Sequence, residues 1–115
     1  MTIEELIKRV AVDLGLTPLN QALPEQHRER IEQGYNEVYA ELAVDLKNPW
    51  TDIPTAVVPE VALLVCLNCV NTYSISAERL SRFATQAGAD GLAARLNIFR
   101  KLTPAFVSND ENKYY

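Results

Sequence analysis

At 115 residues, 48% hydrophobic and 23% charged, the chain has the size and balance of one ordinary globular domain. A net charge of −4 argues against tight, sequence-neutral binding to nucleic acid, which needs lysine and arginine in numbers. The strongest apolar run, Val57 to Val70, is interrupted by Pro59, Glu60 and Asn68 and falls short of the roughly 20 apolar residues a bilayer span requires.

The charge is unevenly placed. Residues 1–50 carry nine acidic and five basic side chains, residues 51–115 six of each, so the acidic surplus lies in the first half. Glu4 and Glu5 stand where a secretory leader would be positively charged, so no signal peptide is expected and the chain reads as cytosolic.

Thr2 and Glu5 form a capping-box pattern ahead of Ile3, Leu6, Ile7, Val10 and Leu14. A first helix over 3–14 follows, closed by the left-handed position that Gly15 supplies. Leu16 to Leu23 reads as a loop. Pro24 and Glu25 suit the first turn of a second helix over 24–46. Its buried stripe is Ile31, Tyr35, Val38, Leu42 and Leu46, widened by Tyr39, and Gly34 inside it reads either as a close approach by another backbone or as chance. Pro49 and Pro54 exclude a helix across the next stretch, where Trp50 and Ile53 are expected to pin the loop to the body.

A third helix over 59–73 is apolar all round. Such a helix is buried on most sides, and three flanking helices leave part of it for a partner subunit. Ser76 caps a fourth helix over 77–102. Leu80, Phe83, Ala84 and Ala87 share one face, while Leu92, Leu96 and Phe99 form a stripe turned by about a third of a turn. Either this helix kinks at Gly88 and Gly91 or it runs on and meets two surfaces. No period-two run or hairpin turn predicts a strand, so the fold class is all-α: a small four-helix domain over 1–102 with an extended C-terminal tail over 103–115.

The tail begins where Pro104 stops the helix. It is polar and unpatterned, yet it carries Phe106, Val107, Tyr114 and Tyr115. Aromatics give large contact area at low entropic cost, so these four residues read as anchors that dock on another chain.

Residues for catalysis find no supporting context. His27, the single histidine, reads as a solvated side chain among charges. Cys66-Leu67-Asn68-Cys69 matches C-x-x-C, but a structural zinc site needs four ligands, and a redox pair needs exposure. The two cysteines therefore read as small hydrophobes. Asn68 and Asn71 interrupt the same helix, either as local hydrogen-bonding groups or an exposed edge, or as hydrogen bonds to another subunit across a helix face. Glu29, Glu32, Glu37 and Glu41 on the second helix read either as ordinary solvated surface or as a repulsive wall facing a polyanion.

The order of these features resembles the head-tail connector (adaptor) proteins of tailed bacteriophages. The likeness rests on Ile3-Glu4-Glu5-Leu6-Ile7 closing at Gly15 and on Tyr35-Asn36-Glu37-Val38 in a long second helix. It continues with Trp50 and Ile53-Pro54 in a proline loop, and Val58-Pro59-Glu60 leading to Ala62-Leu63. It ends with Gly91-Leu92-Ala93-Ala94-Arg95-Leu96 before an extended tail. The cysteine-bearing apolar third helix departs from many of those proteins.

The resemblance implies a non-enzymatic structural virion protein with no cofactor and no metal. It implies a homo-oligomeric ring beneath the portal protein, a dodecamer if it matches a portal of about twelve copies. The ring prolongs the DNA channel toward a tail or nozzle protein and sits at the head-tail junction of the virion. Phe106, Val107, Tyr114 and Tyr115 would then dock on the portal or a neighbour, and the four acids of the second helix would face DNA that passes without sequence-specific binding. A small helical DNA-binding or packaging-related regulator is the alternative; its candidates are Arg79, Arg82, Arg95, Arg100 and Lys101. An antitoxin or immunity-type binding protein is a further one.

Overall fold

The first helix, α1 (Ile3–Leu14), is set at both ends by its own sequence. In a computed structural model, which describes residues 1–17, 21–46 and 49–102, the Thr2 hydroxyl accepts from the Glu5 amide at 3.2 Å. The Thr2 amide in turn donates to Glu5 Oε1 at 2.9 Å, completing the predicted capping box. At the far end the backbone turns left-handed at Gly15, and Arg79 donates to the Asp13 carbonyl at 2.7 Å. Leu6, Ile7, Val10, Ala11 and Leu14 form the buried face.

Helix α2 (Glu25–Ala43) has no side-chain cap, since Pro24 occupies the N-cap position. Arg28 holds its first turns instead, pairing with Glu4 of α1 and with Glu25 and Glu32 of its own helix. Ile31, Gly34, Tyr35, Val38 and Leu42 are buried. Helix α2 stops before the expected residue 46, because after Ala43 the backbone tightens: Asp45 N donates to Leu42 O and Leu46 N to Ala43 O. Pro49 to Pro54 crosses the body as expected. Ile53 is buried and exchanges two hydrogen bonds with Met1, at 2.8 and 2.9 Å. The Trp50 amide donates to the Tyr39 hydroxyl at 2.9 Å, with the two rings 5.4 Å apart.

A single 3₁₀ turn, Thr55–Val57, leads into α3 (Val58–Cys69), which ends four residues short of the predicted Tyr73. Helix α3 is the axis of the fold and packs against α1, α2 and two further helices. Those are α4 (Ala77–Ala87), capped by the Ser76 hydroxyl, and α5 (Leu92–Leu102). The single fourth helix expected over 77–102 is therefore two. Gly88 (φ +78°), Asp90 (φ +52°) and Gly91 (φ +77°) all sit in the left-handed region, where a helix cannot continue. Every regular element among the described residues is helical.

The break corrects a second expectation. Three flanking helices would leave part of α3 bare, but α4 and α5 lie on different sides of it, so four helices surround it. Val58, Val61, Ala62, Leu64, Val65, Cys66 and Cys69 are buried within this one chain. Leu63, Leu67 and Val70 are half-buried against the same core. What α3 leaves open among the described residues is confined to the half-buried side, where Leu63 and Leu67 line surface grooves.

No other backbone is among the nearest atoms to Gly34; the close neighbours are side chains. A Cβ there would stand 3.0 Å from Asn68 Oδ1 and 3.1 Å from Cys69 Sγ. Asn68 makes its hydrogen bonds across the α2–α3 contact within the same chain. Its Oδ1 and carbonyl accept from Arg30, and its amide donates to Glu37 at 3.0 Å.

Gly91 is the position that the break depends on most. A Cβ added there would lie 2.6 Å from Leu64 Cδ2, on a backbone that L-residues adopt only with strain. Gly91→Ala is expected to lower the unfolding free energy by about 1–3 kcal/mol, measured by urea denaturation. An unchanged midpoint would show that the corner does not hold the fold together.

Candidate functional site

Helix α5 turns one face inward and one outward. Ala94 and Ile98 are buried. At 100° per residue Leu92, Leu96 and Phe99 fall within about 60° of one another on the other side. Phe99 is half-buried against the core, whereas Leu92 is 56% exposed and Leu96 60%. The shifted stripe read from the sequence is thus a solvent-facing apolar crest. Leu80 of α4 (39% exposed) and Val44 past the end of α2 (81%) are the other large apolar side chains left in water among the described residues.

A groove runs along each side of the crest. One, of about 450 Å3, lies between α2, α3 and the α4–α5 corner, floored by Val38, Leu64 and Leu67. The Glu41–Arg95 pair, 3.2 Å apart, stands at its rim. The other, of about 490 Å3, lies between α1, α3, α4 and α5. Its apolar lining includes Leu63, Phe83 and Ala94; its polar lining includes Arg9, Asp13, Glu60 and Arg82.

The second groove is electrostatically uneven. Burial raises the Asp13 carboxyl above its ordinary range, against the lowering pull of Arg9 and Arg82. Glu60 Oε2 accepts from Lys101 at 2.8 Å, and Lys101 also reaches the Ala56 carbonyl at 3.1 Å. Glu60 Oε1 is fully buried and has no hydrogen-bond partner among the described residues. A buried acceptor without a donor is uncommon and costly in a folded protein.

The four acids of α2 do not form one bare wall. They spread over about half the helix circumference at 100° per residue. Glu29 is exposed, Glu32 pairs with Arg28, and Glu41 pairs with Arg95. The Asn68 and Gln33 amides donate to Glu37, which holds its carboxyl below the ordinary range. The candidate docking residues Phe106, Val107, Tyr114 and Tyr115 lie outside the described residues.

The basic side chains considered for DNA recognition are mostly engaged within the chain. Arg79 holds the Asp13 carbonyl, Arg95 pairs with Glu41, Arg100 donates to Asn97, and Lys101 joins Glu60. His27 is not a free solvated residue. It is half-buried, with Nδ1 3.1 Å from the Tyr73 hydroxyl and the two rings packed edge to face. No local pattern signals that pair, since 46 residues separate its members.

Among the described residues no three His, Cys, Asp or Glu side chains stand close enough to hold a metal ion, and no helix is long and apolar enough to cross a membrane. Compared with protein-family models, curated proteins and solved structures, the chain matches none.

Cys66 and Cys69 are free thiols, both buried, and burial pushes both thiols up from their ordinary value. In the native chain at pH 8 both are expected to resist a thiol reagent that labels them fully in urea. Fast labelling without denaturant would overturn this assignment.

Proposed function

We propose that the chain is a non-enzymatic structural adaptor of a tailed-bacteriophage head-tail junction. In this reading it forms a homo-oligomeric ring, a dodecamer matching the portal protein above it. The ring extends the DNA channel toward a tail or nozzle protein and acts in the virion after synthesis in the bacterial cytoplasm. DNA passes through without sequence-specific contact, and Phe106, Val107, Tyr114 and Tyr115 dock on the portal or a neighbouring copy.

The observation that carries this reading is the apolar crest of α5. It stands on a body whose core is already covered, so its exposure serves no internal packing. It immediately precedes the aromatic-bearing segment 103–115, which places both contact surfaces at one end of the chain. The helical order also agrees with the resemblance, apart from the break at Gly88–Gly91. Most of the basic groups that a DNA-binding regulator would use are held in contacts within the chain, which favours the adaptor reading over that alternative.

A ring threaded by DNA has a rotational axis along the DNA and head-to-tail contacts between copies. Native mass measurement with and without the portal tests it directly: a closed ring in the portal-bound assembly is the expected result, and a strictly two-fold dimer there overturns it. Leu92→Ser with Leu96→Ser should leave stability within about 0.5 kcal/mol, since both side chains are exposed, yet weaken assembly. A double variant that assembles normally would remove the crest from the interface. Truncation after Leu102 should likewise leave the helical body folded and reduce docking on the portal; full occupancy of the junction by the truncated chain would refute the role of the tail.

A further inference from the structure

Two exposed apolar faces of this chain carry opposite charge. One is the crest of α5. From Leu92 to Leu102 the sequence has three basic residues and no acidic one. Leu92, Leu96 and Arg100 follow one another at four-residue spacing, so they line one side of the helix. All three are exposed. Arg95 and Lys101 are paired with Glu41 and Glu60, whereas Arg100 reaches only the neutral Asn97 among the described residues.

The other face is the C-terminal end of α2. Val44, at its C-cap, keeps helical backbone angles and is the most exposed large apolar side chain among the described residues. Ala40 and Ala43 are exposed beside it. From Ile31 to Leu46 the sequence has four acidic residues and no basic one. Glu32, Glu37 and Glu41 have partners within the chain. Asp45, next to Val44, is exposed, and its carboxylate has no partner among the described residues.

These faces do not cover each other within one chain, since Leu96 and Val44 both stand in water. They belong to helices that pack separately on α3, so each can be met from outside. They match in what selects a partner: apolar side chains at the centre, an uncompensated positive charge at the edge of one and an uncompensated negative charge at the edge of the other. A second copy of this chain supplies both halves.

We infer that the α5 crest of one copy packs on the C-terminal end of α2 of the next, with Leu92 and Leu96 over Ala40 and Val44 and with Arg100 paired to Asp45. The contact rests on the ring reading above for its direction, in which each copy offers α5 to one neighbour and α2 to the other. The charge pair sets the register. With the two helices parallel, Leu96 lies beside Val44 and Arg100 reaches Asp45. Reversed, Arg100 would meet Glu37, which already accepts from Asn68 and Gln33.

The test is cross-linking of the full-length chain in concentrated solution with a short bis-maleimide, which captures brief contacts and spares the buried Cys66 and Cys69. Val44→Cys with Leu96→Cys in one chain should give a ladder of covalent oligomers joined between positions 44 and 96, and neither single variant should cross-link. Arg100→Glu should cut the yield by about tenfold or more, Asp45→Arg likewise, and the two together should restore it. Circular dichroism checks that each variant is folded. Links between two copies of position 96, a 44–96 link within one chain, or a yield indifferent to charge reversal would overturn the inference. So would the absence of any covalent oligomer, including a crest taken up by anionic lipid vesicles instead. In each of those cases a closed ring in the portal-bound native mass leaves the ring reading standing. A product that stops at two chains keeps the contact and overturns the ring.

Discussion

Everything in this fold follows from the need to enclose α3. It carries no charge between Val61 and Val70, and each of its larger apolar side chains contributes about 1.5–3 kcal/mol only if it is removed from water. A helix apolar around its whole circumference cannot lie on a surface; it has to be an axis. With this little chain available, enclosing an axis takes four helices, and the sequence supplies the fourth by breaking its last long apolar segment at Gly88–Gly91. The backbone accepts three left-handed residues there, and the core gains a wall.

Once α3 is enclosed, the polar groups around it are arranged by proximity. Arg30 reaches the end of α3, Asn68 links it to Glu37, Arg79 closes α1, and Lys101 joins α5 to the start of α3. Two of these four contacts are solvent-exposed and the other two only part-buried, so their individual energies are small. Their effect is to fix which helix faces meet, which is how α5 comes to present Leu92 and Leu96 outward.

Local signals were legible wherever chemistry is local. The Thr2–Glu5 box, the stripe from Ile31 to Leu42 and the Ser76 cap each depend on residues within one or two turns, and each stands where periodicity and capping place it. The break at Gly88–Gly91 was half legible. The glycines and the rotated stripe pointed to it, but only the packing of Gly91 against Leu64 decides between a kink and a straight helix. The self-covered α3 could not be read, because enclosure depends on where α4 and α5 go. The pairing of His27 with Tyr73, and the Glu60 oxygen that has no partner among the described residues, depend on contacts more than 40 residues apart in sequence or on a missing one. No window along the chain contains them.

The tie between Lys101 and the start of α3 has a mechanical meaning. A tension drawn through residues 103–115 enters the body at Leu102 and meets, one residue back, an ammonium bonded to Glu60 and to the Ala56 carbonyl. The last turn of α5 is thereby tied to the N-terminal end of the central helix, so a pull arriving at Leu102 is shared between two elements.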